Sequence, residues 1–140
     1  MRLFLDTSVL LAAAGSARGA SRFLFENAEE QGWELLSSTY CLEETKRNLH
    51  KLGAGASSCW HKTLAPRVTL VRVELSFHQA LVFHKSKDRP VLLSAIGARA
   101  DLLLTLDEAD FQRSVGDQVY SLSLRSPGRF SAELREAGRI

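Results

Sequence analysis

A chain of 140 residues is long enough for one domain with a closed core, and 45% apolar with 24% charged residues exclude a disordered or fibrous protein. The net charge of +2 and pI near 8.7 fit a polyanionic partner without requiring one. Two cysteines, Cys41 and Cys59, are too few for a disulfide framework and fit no metal spacing, so reduced thiols in a cytoplasmic protein are expected. No apolar run approaches the roughly 20 residues that span a bilayer, and Asp6 interrupts the N-terminal apolar stretch, so neither a membrane span nor an export leader is expected.

Residues 2–6 are an apolar run closing on Asp6, as in a buried strand. "SARGASRFLFENAEEQG" then sets Ala20, Phe23, Leu24 and Ala28 on one helical face, and Gly32 stops it. "WELLSS" is a second strand and "TYCLEETKRNLHKL" a helix with Leu42, Leu49 and Leu52 apolar. "GAGASS" (53–58) is the one linker-like stretch, short enough for a loop within a domain. A weaker helical piece follows around 59–64, then the β-branched "RVTLVRV" (67–73), an edge-strand candidate, and a helix over 75–86. "DRPVLLSAIGARA" opens on Asp88 with Pro90 tolerated in its first turn. "DLLLT" is a buried strand, "DEADFQRSV" a short helix and "QVYSLSL" a strand; the final amphipathic helix starts around Pro127. This alternation predicts a single domain over 1–140, a three-layer α/β/α sandwich with a central, mainly parallel sheet.

Open parallel sheets bind ligands beyond the carboxyl ends of their strands. Asp6 ends the first strand and Asp107 lies just past "DLLLT", so both fall at one sheet edge. Asp88 opens the helix that leads to that strand, and Glu44 sits early on the helix after the second strand. Two unit charges ~5 Å apart at an effective dielectric of ~20 repel by about 3 kcal/mol. Such a group must raise its pKa values or bind a cation. Mg²⁺ or Mn²⁺, held by a few carboxylates and waters, is the natural resolution, and near a phosphodiester it would activate water and stabilise the leaving oxygen. Each acid also has a plainer use. Asp88 and Asp107 precede helices and suit N-caps; Asp6 could cap its own turn with Thr7 and Ser8; Glu44 stands among Glu43, Lys46 and Arg47 as on a solvated face.

"LFLDTSVLL", "LSSTYCLEETKRNL", "DRPVLLSAIGARADLLLTLDEADF" and "SLSLRSPGRF" together, in this order, resemble the PIN domain, closest to the toxin-type members of bacterial and archaeal toxin–antitoxin pairs. The resemblance covers roughly residues 2–131 and implies a doubly wound α/β/α nuclease that uses Mg²⁺ or Mn²⁺ to cut single-stranded or loop RNA. Carried over, it makes Asp6, Glu44, Asp88 and Asp107 the catalytic metal ligands, with Thr105 before Asp107 and Asp110 assisting through a water. Glu44 fits better than Glu43 because Ser38 lies six residues before it and Leu49 five after. Leu106 departs from the small or polar residue often found between that Thr and Asp. The resemblance also implies an antitoxin partner whose tail covers the acidic edge.

For an RNA substrate, Lys46, Arg47, Lys85, Lys87 and Arg89 flank the acids and are candidate phosphate contacts; ordinary surface charge is the plainer use of each. Trp33, Tyr40 and Trp60 could stack bases or pack in the core. The apolar surplus of 75–86 suits either the core or a homodimer contact, as in many members of the family. The competing reading is a PIN-like module that binds RNA or protein without cleaving it. A haloacid-dehalogenase-type phosphatase would need Asp-x-Asp where this chain has Asp6-Thr7-Ser8, and neither a receiver's acidic pair nor a phosphate-cradling glycine loop is found.

Overall fold

The computed structural model describes residues 1–72, 88–116 and 118–140. Strand β1 (Arg2–Leu5) runs through the middle of the sheet, and Leu3, Phe4 and Leu5 are wholly buried, as a strand covered on both faces requires. On one side it pairs in parallel with β2 (Glu34–Ser37), which pairs with β3 (Thr69–Leu70); on the other it pairs with β4 (Leu102–Leu104) and then β6 (Leu122–Arg125). β5 (Gln118–Val119) closes the order β3-β2-β1-β4-β6-β5 as the antiparallel member. The register sets Leu3 beside Leu35 and Leu102, so consecutive leucines of three strands share one core layer.

Helices α1 (Thr7–Gly15), α2 (Ala20–Gln31), α3 (Thr39–Asn48), α4 (Ala54–Cys59), α5 (Asp88–Gly97), α6 (Glu108–Val115) and α7 (Pro127–Glu136) cover the sheet, completing the expected α/β/α sandwich. The helix starts are clear from the chemistry at the strand ends. Asp6, Ser38 and Ser126 are N-caps directly after β1, β2 and β6; Ser38 Oγ accepts from Cys41 N at 3.2 Å and Ser126 Oγ from Arg129 N at 3.1 Å. Gly32 ends α2 in the left-handed region (φ 67°), a position glycine takes without steric cost. Trp33 follows it and packs between Phe23 and Phe130, ring centroids 6.4 and 5.3 Å away, joining α2 to α7.

The structure corrects four sequence expectations. Residues 7–15 form a helix that the sequence reading left unassigned, because Val9, Leu10, Ala13 and Ala14 are buried and no polar face marks a helical period. "GAGASS" is not a loop: Ala54–Cys59 is helical, with Ala56 packed in the core. Within "RVTLVRV", Arg67 belongs to a 3₁₀ turn and Thr69–Leu70 form the strand. "QVYSLSL" is a hairpin, not one strand; it turns at Tyr120, whose φ of 54° no glycine or asparagine announced. The expected helix over 75–86 lies outside the described residues.

Candidate active site

Asp6 stands where β1 becomes α1. Its backbone N–H continues the ladder by donating to Leu104 O at 3.0 Å, and its carbonyl accepts from Val9 and Leu10 in the first turn of α1. Asp6 is 6% exposed, and its carboxylate is held by three donors. Oδ1 accepts from Thr7 N at 2.7 Å; Oδ2 accepts from Thr105 Oγ1 at 2.7 Å and from Ser8 Oγ at 3.1 Å. Burial pushes this carboxyl above the ordinary aspartate value; the Thr105, Ser8 and Thr7 hydrogen bonds pull against that, and the nearby Asp107 adds to the rise.

The two hydroxyls also fix the opposite wall. Thr105 Oγ1 accepts from Asp107 N at 3.0 Å, and Ser8 Oγ accepts from Leu106 N at 3.0 Å. Each hydroxyl has a single proton, spent on Asp6, and so serves the Leu106–Asp107 backbone as an acceptor. The ends of β1 and β4 are thereby bound together through one carboxylate. Asp107 occupies the N-cap position of α6, but its side chain caps nothing and makes no hydrogen bond or ion pair among the described residues. It is available to the cleft, the opposite of the plain capping use.

A cleft of ≈ 300 Å³ opens over these groups, with Asp6, Glu44 and Asp107 among its lining residues. Glu44 comes from α3, and Tyr40 Oη donates to its Oε2 at 3.4 Å. Glu43 is exposed and paired with Lys46 at 3.4 Å, so α3 presents Glu44 and not Glu43 to the cleft. Asp110 does not line the cleft; Arg113 Nη2 donates to its Oδ1 at 2.7 Å. α5 begins at Asp88, whose side chain lies outside the described residues, as do Lys85 and Lys87. Lys46, Arg47 and Arg89 are exposed, and no Lys or Arg lines the cleft among the described residues. Cys41 is buried beneath the site, where burial pushes its thiol up.

Sequence reasoning missed Asn48, Leu11 and Val91 as lining residues and the roles of Ser8 and Thr105 as donors to Asp6. The four-residue spacing of Tyr40, Glu44 and Asn48 was the available signal, since that interval repeats one helical face.

Whether these groups suit a metal ion is a question of donors. Asp6 offers about four lone-pair directions, of which three are taken, and Asp107 offers all of its own. Hard oxygen donors of this kind suit Mg²⁺ or Mn²⁺. Among the described residues no three His, Cys, Asp or Glu side chains stand close enough to hold a metal together. Mg²⁺ commonly binds through one or two carboxylates and keeps several waters, so a pair of acids remains a sufficient set.

A family model for the PIN domain matches residues 2–109. The chain belongs to the PIN domain family. The match includes Asp6, Glu44, Asp88 and Asp107 and stops one residue short of Asp110. No curated protein sequence matches the chain. The fold is similar to that of a chain in the crystal structure of VapBC2 from Rickettsia felis bound to a DNA fragment from their promoter. The TM-score is 0.62 at 14% identity, over 90% of this chain and 98% of the other. At that identity the likeness is one of PIN fold alone. No helix among the described residues of this PIN domain is long and apolar enough to cross a membrane.

Proposed function

We propose that the chain is a metal-dependent endoribonuclease of the toxin type, one domain over residues 1–140. Asp6, Glu44, Asp88 and Asp107 are its catalytic ligands for Mg²⁺ or Mn²⁺, and Asp110 supports them through a water. The observation that carries this reading is the cleft itself: acids from β1, α3 and the end of β4 line one opening at the carboxyl edge of a parallel sheet, with the Asp107 carboxylate unspent. A bound divalent cation supplies Lewis-acid stabilisation of charge developing on a phosphodiester. The chain's own residues do the rest. Ser8 and Thr105 hold Asp6 in one orientation, and Tyr40 donates to Glu44.

Lys46, Arg47 and Arg89, exposed outside the cleft, are the proposed phosphate contacts that draw in a polyanion, together with Lys85 and Lys87, which lie outside the described residues. The resemblance of the sequence to toxin-type PIN domains supports an antitoxin partner, and the likeness of the fold to a VapBC2 chain agrees with that partner; a homodimer and a cytoplasmic location belong to the same reading on the sequence resemblance alone.

The test is cleavage of varied single-stranded and loop RNAs by purified protein with Mn²⁺, Mg²⁺ or EDTA, beside Asp6→Asn. Cleavage that needs the metal and is absent in the variant supports the nuclease. Silence of the folded, partner-free wild type under every ion favours the binding module, and activity surviving in Asp6→Asn removes the site assignment.

A further inference from the structure

Tyr40, Glu44 and Asn48 form a stripe on α3, one helical face repeated at intervals of four, and all three line the cleft. Leu11 of α1 and Val91 of α5 contribute apolar surface to the same opening. Trp33 is 6% exposed and Trp60 fully buried, both spent in the core. Tyr40 is therefore the aromatic ring that the cleft offers among the described residues, half-buried with its hydroxyl directed at Glu44. Asn48 donates one amide N–H to the Glu44 carbonyl at 2.8 Å, which leaves its Oδ1 and second N–H unspent among the described residues.

Phosphodiester hydrolysis alone uses neither an aromatic ring nor an amide with a free donor and acceptor. A nucleobase uses both: a π-surface or apolar wall for its faces and hydrogen-bonding groups for its edge. The cleft's ≈ 300 Å³ lies at the small end of ligand sites, suited to one unpaired nucleotide and not to a base pair.

We propose that Tyr40 and Asn48 form a nucleobase subsite. One unstacked base lies against Tyr40, Asn48 reads its edge, and the adjoining phosphate faces Asp6 and Asp107. Recognition of the base is independent of metal; the fate of that phosphate rests on the nuclease reading above.

The experiment is a fluorescence titration, in EDTA, of the full chain with a single-stranded oligoribonucleotide carrying 2-aminopurine at one internal position. Wild type quenches the probe on binding, and Tyr40→Phe, which keeps the ring, binds within roughly twofold, whereas Tyr40→Leu binds roughly 5- to 150-fold more weakly, the range for loss of one base-stacking contact. Asn48→Ala alters the ranking of oligonucleotides that differ at the probed base more than it alters their mean affinity. Equal binding by Tyr40→Leu and wild type, or an equal loss in Tyr40→Phe and Tyr40→Leu, overturns the proposal. Should Tyr40→Leu fail to fold by circular dichroism, absence of quenching in wild type, or an unchanged ranking in Asn48→Ala, overturns it instead. Cleavage of the same oligonucleotide in Mn²⁺ is scored separately. Tyr40-dependent binding keeps the subsite whether or not the oligonucleotide is cut, the nuclease being judged on the varied RNAs above; cleavage with Tyr40-independent binding overturns the subsite and keeps the nuclease.

Discussion

Replacing Thr105 by valine keeps the side-chain shape and removes one hydroxyl from a fully buried position. Two bonds go with it, the 2.7 Å donation to Asp6 Oδ2 and the 3.0 Å acceptance from Asp107 N. A hydrogen bond to a charged group contributes about 1.5–3 kcal/mol, and the Asp107 N–H, half-buried and within reach of water, adds about 1 kcal/mol. The loss is then about 2.5–4 kcal/mol, against the roughly 5–15 kcal/mol typical of a domain, so the variant still folds. With a urea m-value of about 2 kcal/mol/M, the unfolding midpoint falls by about 1–2 M at pH 8. Thr105→Ser keeps both bonds and loses one methyl, about 1 kcal/mol.

The pH dependence of that loss has a definite sign. Burial sets Asp6 high, and the Thr105 bond is one of the contributions holding it lower than burial alone would. Without that bond the carboxyl's pKa climbs further. Because the bond favours the ionised form, the valine penalty is full above the variant's Asp6 pKa and shrinks as pH falls through it. Below the wild-type value only a neutral hydrogen bond is missing. Equal losses in the serine and valine variants, or a valine penalty that grows on acidification, would refute the reasoning.

Asp6 is raised above its unfolded value of 3.8, so its contribution to stability is complete below that pH and lost as pH rises through the folded value. The stability of wild type relative to Asp6→Asn accordingly falls as pH rises from 3.8 through the folded value, as denaturant titrations of both proteins at several pH values will show. Glu44→Gln lowers RNA cleavage at least ~10-fold, while Glu43→Gln, which breaks an exposed pair with Lys46, leaves cleavage unchanged in the same assay. Glu108→Ala orphans Ser126 N, which donates to Glu108 Oε2 at 3.0 Å, and removes the 2.7 Å bond from Arg129 to Glu108, leaving Arg129 its 3.2 Å contact with Glu133. Thermal unfolding should register a fall in Tm of roughly 5 °C or more.

Legibility followed the physics of each segment. β1, β2 and β4 could be read because parallel strands buried on both faces become unbroken apolar runs such as Leu102–Leu104. α1 could not, for the same reason in reverse: a helix buried nearly all round shows no period, and Thr7–Gly15 has none. The Tyr120 turn was hidden because tyrosine rarely adopts a positive φ, so the residue type gives no sign of the turn. At the site, acid types and spacing pointed to one sheet edge, and the structure brings Asp6, Glu44 and Asp107 to one cleft. What composition could not reveal was donor direction. That Ser8 and Thr105 aim at Asp6 while Asp107 caps nothing depends on where two distant strand ends meet.

Glu108, the neighbour of Asp107, is tied to the start of α7 through Ser126 and Arg129, and Thr105 N donates to the Arg125 carbonyl at 3.0 Å. The family match ends at residue 109, before any of these partners. A fragment cut at that boundary would contain every proposed catalytic acid and still lack the strand and helix that hold the β4 end in place. For this chain, the unit that carries the chemistry is longer than the stretch that advertises it.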